Sequence, residues 1–269
     1  MQSFFEKREY SKERPVKAAF GENLDFIAHW HQDFELLYVL EGTQAASINN
    51  SFRVLSAGEL AFCRSGDVHF YDDRHGNGRF VLAFADAGFL REQADWTDRI
   101  SLTTPFLSMP EAESSFRALA EEDALRGPHF TVVLKARMLD IVSRVLRSPF
   151  LKVESAQTTL PLDPTMAKVQ EALRLLESEY AEDLSHDALA ERLSISPSYF
   201  SRIFNRATGM GFREYLNHLR IERAEEMLGD PERTVTDIAF ACGFGSLRTF
   251  HRAFREVTGR TPLEQRKSL

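Results

Sequence analysis

Arg202 and Arg252 lie fifty residues apart in matching surroundings. Phe200 pairs with Phe250, Phe204 with Phe254, Thr208 with Thr258 and Gly209 with Gly259 at the same offset. An arginine held out on a helix can donate two parallel bonds to guanine O6 and N7, worth ~1–3 kcal/mol of discrimination. Ser198, Ser201 and Asn205 flank the first arginine, and Arg248, Thr249 and His251 flank the second. These side chains suit weaker contacts to base edges. Arg206, Arg255 and Lys267 suit phosphates, which fix register without reading sequence. A lone surface arginine is ordinarily only a solvated charge. Two copies of one polar face are what single these residues out.

A second set of reactive side chains lies near the start: His29, Trp30, His31, Glu35, Tyr38 and His69. Aromatic and hydrogen-bonding groups of these kinds suit a small polyol, and a sugar pocket is the favoured reading. Three imidazoles with a carboxylate also suit a divalent transition metal, so His29, His31, Glu35 and His69 form an alternative metal set. No cofactor is expected. Trp30 alternates with its histidine neighbours, which along a strand would turn it outward to a packing role.

To present their arginines, both copies need short helices with a buried back. Ser196 and Ser246 stand where an N-cap is wanted, Pro197 falls at the first helical position, and Gly209 and Gly259 fit the closing turn. Phe200, Ile203 and Phe204 form one apolar stripe, and Phe250, Ala253, Phe254 and Val257 form the other. A helix precedes each, at Leu184–Leu193 behind Ser185 and at Val235–Cys242. Leu189 and Ala190 match Ile238 and Ala239 at an offset of 49, so the second turn holds one extra residue. Helix, short turn, helix is the helix-turn-helix layout, here present twice. Between the copies, Phe212–Leu228 reads as a helix of 17 residues, about 25 Å long. With its flanking turns it could set two reading helices in successive major grooves, which repeat at about 34 Å.

The stretch Ala239–Pro262, A-F-A-C-G-F-G-S-L-R-T-F-H-R-A-F-R-E-V-T-G-R-T-P, resembles the signature of AraC/XylS-type bacterial transcription regulators. The similarity runs over Thr165–Lys267 and departs at Met210-Gly211 and Gln265, after the reading helices. Further upstream, H-W-H-Q-D-F-E from His29 to Glu35, followed by Gly42, resembles the first cupin motif. G-E-L-A-F-C-R-S-G-D-V-H from Gly58 to His69 resembles the second, with Arg64 where a proline is usual. These resemblances imply a cupin-like sensing barrel, a homodimer, double-stranded promoter or operator DNA as partner, and activation through RNA polymerase.

Composition sets the outer limits. The chain has 269 residues, 43% hydrophobic and 27% charged, ordinary for a globular protein of two domains. Its net charge is −7, at first unfavourable for DNA. The excess sits elsewhere, since Thr165 onward carries 15 Lys/Arg against 16 Asp/Glu, and Cys242–Leu269 alone is +4. Local clustering decides phosphate contact, because screening limits the reach of distant charges. Cys63 and Cys242 fall in different domains, so a reducing compartment fits better than a disulfide. Neither a leader nor an apolar run of about 20 residues is evident, so a cytoplasmic protein without membrane contact is expected.

Residues 1–147 read as a β-rich sensing and dimerisation domain. Short apolar runs at Leu24–Ala28, Phe34–Leu40, Ala45–Ile48, Phe52–Leu55, Leu60–Cys63 and Phe80–Phe84 alternate with turn signals. Two helical stretches follow, Glu111–Leu125 and Phe130–Leu146. The second is apolar over about half its girth and could dimerise or pack on its own barrel. Residues 148–163 lose periodicity and read as a linker, and Asp163-Pro164 as cap and first residue of the next helix. The expected fold is α+β in two domains: a cupin-like β-barrel with following helices, then an all-α DNA-binding domain over residues 164–269. The expected function is a sequence-specific transcription regulator, an activator controlled by a small-molecule effector, and not an enzyme. The alternative is a metal-dependent cupin oxygenase or isomerase fused to a helical domain.

Overall fold

Strand periodicity and helix caps together build the molecule, seen in a computed structural model that describes residues 14–74, 77–94, 100–149, 151–153 and 164–267. The chain divides into two units, Met1–Leu162 and Asp163–Leu269.

In the first unit the strands are β1 (Val16–Glu22), β2 (Phe26–His29), β3 (Phe34–Glu41), β4 (Thr43–Ile48), β5 (Ser51–Ser56), β6 (Glu59–Cys63), β7 (His69–Asp72) and β8 (Arg79–Ala85). Helix α1 (Ala87–Ala94), strands β9 (Ile100–Leu102) and β10 (Phe106–Ser108), helices α2 (Glu113–Leu125) and α3 (Phe130–Leu146), and strand β11 (Leu151–Val153) complete it. A five-stranded sheet runs β1-β8-β3-β6-β10 and a four-stranded sheet runs β2-β7-β4-β5, with antiparallel pairing throughout.

Strand β3, F-E-L-L-Y-V-L-E, is buried along its length except at Glu41, which marks a sheet covered on both faces. Period two then sorts its side chains. Leu37 and Val39 pack between the sheets with Ala46, Ile48, Leu55 and Leu82. Leu36, Tyr38 and Leu40 point the other way, into a core with Phe116 and Leu119 of α2 and Leu134, Met138 and Ile141 of α3. Helix α3 therefore packs on its own barrel with one face, while Val132 on another side is 64% exposed.

Two features differ from the sequence expectation. Strands β1 and β7 carry polar residues among the apolar ones, which hides them from a search for apolar runs. Leu151–Val153, inside the stretch read as linker, pairs with Ile100–Leu102. Asp163 as a cap lies outside the described residues.

The second unit is helical: α4 (Pro164–Glu179), α5 (His186–Arg192), α6 (Pro197–Thr208), α7 (Phe212–Leu228), α8 (Val235–Ala241), α9 (Leu247–Thr258) and α10 (Pro262–Lys267). Met166, Val169, Leu173 and Leu176 form the buried side of α4. In the second half Ile221, Ala224 and Leu228 of α7 pack on Ile238, Ala239, Phe250 and Phe254. No helix among the described residues is long and apolar enough to cross a membrane.

Candidate functional site

The two helix-turn-helix units are built by the same local chemistry. Ser185, Ser196, Thr234 and Ser246 each accept a bond from a first-turn backbone amide, of Ala188, Tyr199, Asp237 and Thr249 respectively. Asp237 returns the bond to Thr234, a reciprocal cap. Gly209 and Gly259 end α6 and α9 in the left-handed conformation, at φ 72° and 71°. Within the turns, Ile195 N donates to Ala190 O and Phe244 N to Ala239 O, both at 3.1 Å. That bond keeps the offset of 49, so the extra residue of the second turn is Gly245. Ser194 takes φ 55° in the first turn where Gly243 takes φ 81° in the second.

Phe200, Ile203 and Phe204 of α6, and Phe250, Ala253 and Phe254 of α9, are buried. Ser198, Arg202, Asn205 and Arg206 remain exposed on α6, as do Arg248, Thr249, His251, Arg252 and Arg255 on α9. Arg202 lies over the Tyr199 ring at 5.2 Å, and Arg252 Nε is 3.9 Å from Glu256 at the surface. Ser201 is different, since its hydroxyl lies 2.8 Å from His186 Nε2 and it is only partly exposed. Thr249 also spends its hydroxyl locally, 3.0 Å from the Ser246 cap. Lys267 is exposed on α10.

A brace that sequence reading missed joins the two halves of this unit. Arg220 of α7 donates to Tyr180 O at 2.7 Å and to Glu182 O at 2.8 Å, and its guanidinium sits 5.6 Å from the Phe244 ring centroid. Beside it, a Cβ on Gly243 would meet the Ala181 carbonyl oxygen at 2.5 Å. The segment after α4 thus packs on the turn of the second motif. Burial holds the Arg220 guanidinium below its ordinary value.

In the barrel, His29 ends β2, His31 lies in the following loop, Glu35 sits on β3 and His69 opens β7. His29 and His69 are cross-strand partners, and Glu35 faces them from the other sheet. Ring centroids are 4.2 Å apart for His29 and His69, and 4.9 Å for His31 and His69. His31 Nε2 lies 2.9 Å from Glu35 Oε2, and Tyr71 donates to Glu35 Oε1 at 2.6 Å. Burial pushes the Glu35 carboxyl up, but the His69 and His31 imidazoles outweigh it and hold the group well below the usual carboxylate range. Burial, then the neighbouring His69, keeps His29 well below its ordinary value.

Two aromatic candidates stand apart from this cluster. Tyr38, three residues after Glu35, leaves β3 on the opposite face, stacks on Phe116 at 4.5 Å and donates to Met109 O at 3.1 Å. An odd spacing on a strand makes this unavoidable, so Tyr38 is a core residue of the helical side. Trp30 is half-buried just beyond the end of β2, so the alternation assumed for it stops at His29. Tyr71 is absent from the residues the sequence singles out, although two residues after His69 it must share that face. The cavity beside the cluster is bounded by Leu24, Phe26, Leu82 and Phe84 and measures about 10 Å³.

The AraC-like ligand binding domain profile matches residues 18–142, and a helix-turn-helix domain profile matches residues 189–268. RhaS of Pectobacterium carotovorum, an HTH-type transcriptional activator, is 25% identical over 252 residues, covering 88% of this chain and 86% of RhaS. YijO of Escherichia coli K12, an uncharacterized HTH-type transcriptional regulator, is 40% identical over 98 residues, 36% of this chain and 35% of YijO. The chain thus matches about a third of YijO's length. An apo crystal structure of a ToxT variant from Vibrio cholerae shares the two-domain fold at 14% identity, with a TM-score of 0.51 over 97% of this chain and 99% of ToxT. Fold and comparisons define a transcription regulator in which a ligand-binding β-domain precedes a DNA-binding helix-turn-helix domain. The chain belongs to the AraC family.

Proposed function

We propose that the chain is a promoter-binding transcription activator. In this reading α6 and α9 enter successive major grooves of double-stranded DNA, and the N-terminal barrel responds to a small-molecule effector. The observation that carries it is the repetition of an exposed basic face, Arg202 on α6 and Arg252 on α9, over a buried phenylalanine pair. Arg202 and Arg252 read bases, with Ser198, Asn205, Arg248 and His251 beside them, and Arg206 and Arg255 hold phosphates. Ser201 and Thr249 contribute less, because their hydroxyls are already engaged within the protein.

The effector acts at the His29–His31–Glu35–His69 cluster and shifts transcription by preferring one state of the regulator by a differential free energy. A sugar is the effector expected from the residue types. A cavity of about 10 Å³ is the size of one water, so a sugar must open the barrel to enter. The exposed side of α3, with Val132 and Ala136, supports a homodimer, and activation proceeds by contact with RNA polymerase in a cytoplasmic setting. Genome-wide mapping of bound DNA with the wild type and with Arg252→Ala is the test. Defined promoter peaks that disappear in the variant are expected, and unchanged peaks would remove the assigned role.

A further inference from the structure

The two arginines assigned to base reading are supported differently. Tyr199 and Arg202 are three residues apart on α6 and share one side of the helix. The Arg202 guanidinium carbon lies 5.2 Å from the centroid of the Tyr199 ring. Tyr199 is itself tied down twice. Its backbone N donates to the Ser196 cap at 3.3 Å, and its hydroxyl lies 3.5 Å from Thr165 Oγ1 on α4. The second motif has no such ring, because Thr249 stands fifty residues on from Tyr199 and keeps its hydroxyl on Ser246. Arg252 has Glu256 instead, 3.9 Å from its Nε, with both side chains largely exposed.

The difference is chemical. A cation is drawn to the face of an aromatic ring without giving up an N–H donor to an acceptor. The guanidinium fork of Arg202 therefore stays available for guanine O6 and N7. A carboxylate, by contrast, attracts the same N–H donors that a base would use. Among the described residues Arg202 has no carboxylate partner. A long side chain ordered in advance also loses less freedom on binding than one ordered by the ligand.

We propose that Tyr199 is a positioning residue for DNA recognition: its ring holds Arg202 ready for a base edge before the duplex arrives, a support that Arg252 lacks. The proposal rests on Arg202 reading a base, the role given above, and its test keeps the two claims apart.

Full-length wild type and variants select from a pool of duplexes of randomised sequence. Dissociation constants on singly substituted duplexes then give the discrimination at each position. Arg202→Ala marks the position that Arg202 reads. There Tyr199→Leu, which keeps apolar bulk without a ring, should lose roughly 2–5-fold of discrimination, the scale of one exposed cation–ring contact. Tyr199→Phe should retain the wild-type value. The melting temperature and salt dependence of Tyr199→Leu should match the wild type, since neither the fold nor the phosphate contacts change. Tyr199→Gln takes the place of the leucine variant should that one not fold. Full discrimination in Tyr199→Leu, at a position that Arg202→Ala erases, would overturn the proposal and leave Arg202 a base reader. Equal weakening on every duplex, or a Tyr199→Phe variant as poor as Tyr199→Leu, would overturn it as well, because the fold or the hydroxyl would then be responsible. A selection that Arg202→Ala leaves unaltered would remove the base contact itself, and the positioning role with it.

Discussion

His186 Nε2 lies 2.8 Å from Ser201 Oγ, which ties α6 to the first residue of the helix before it. The His186 ring also packs on Phe200, with centroids 5.1 Å apart. The second motif cannot copy this link, since Val235 stands in the place of His186 and His251 in that of Ser201. Ser201→Ala should therefore cost stability, about 0.5–1.5 kcal/mol for a lost hydrogen bond. Denaturant unfolding of the helical unit measures it. Promoter preference should stay as it was, and a changed base preference with unchanged stability would return Ser201 to the DNA surface.

Arg202→Ala and Arg252→Ala should each lose about 1–3 kcal/mol of discrimination at one operator position. Arg206→Ala should instead weaken all sequences alike and lower the salt dependence by about one unit of slope. Anisotropy titrations across salt concentrations, on matched and mismatched duplexes, separate the two behaviours. Should Arg206→Ala relax specificity, the division between reading and holding residues is wrong.

Gly243 and Gly245, two residues apart, should respond oppositely to alanine. Gly243 combines φ 81° with a close approach to Ala181 O, so Gly243→Ala should destabilise by at least ~1–3 kcal/mol. Gly245 has nothing within 4 Å of a built Cβ. Gly245→Ala should fall between neutral and a gain of about 1 kcal/mol from a stiffer unfolded chain. Melting curves of the two variants decide.

Burial lowers the His218 imidazole from its ordinary value, against the pull of Glu214. With the folded value below the unfolded one, the unfolded chain binds more protons, and stability rises with pH. This contribution is intact above the unfolded value of about 6.5 and is lost as pH falls through the folded value. Midpoints on either side of that window should differ more in the wild type than in His218→Gln. Equal slopes would show that other groups govern the acid limb.

The helical half was legible because its signals are local. A cap, a stripe of phenylalanines and a closing glycine all lie within one turn or two of each other, and their repetition removes chance. The barrel was less so. Strand β7, H-F-Y-D, has no apolar run to betray it, and residue type alone sets Tyr38 beside Glu35 although strand parity forbids it. His186, fifteen residues from Ser201, and Arg220, forty from Tyr180, act across tertiary contacts that no window of sequence contains. The histidine set was visible as a list of ligand types.

If α6 and α9 enter successive grooves as proposed, the Arg220 brace bears on the DNA as well as on the protein. With Tyr180, Glu182 and Phe244 gathered around one guanidinium, the two helices would then act as a caliper set to one gap. Each added base pair turns the duplex by about 34–36°, a rotation that such a caliper cannot follow. Operators should consequently tolerate altered letters far better than a single inserted or deleted pair between their two halves.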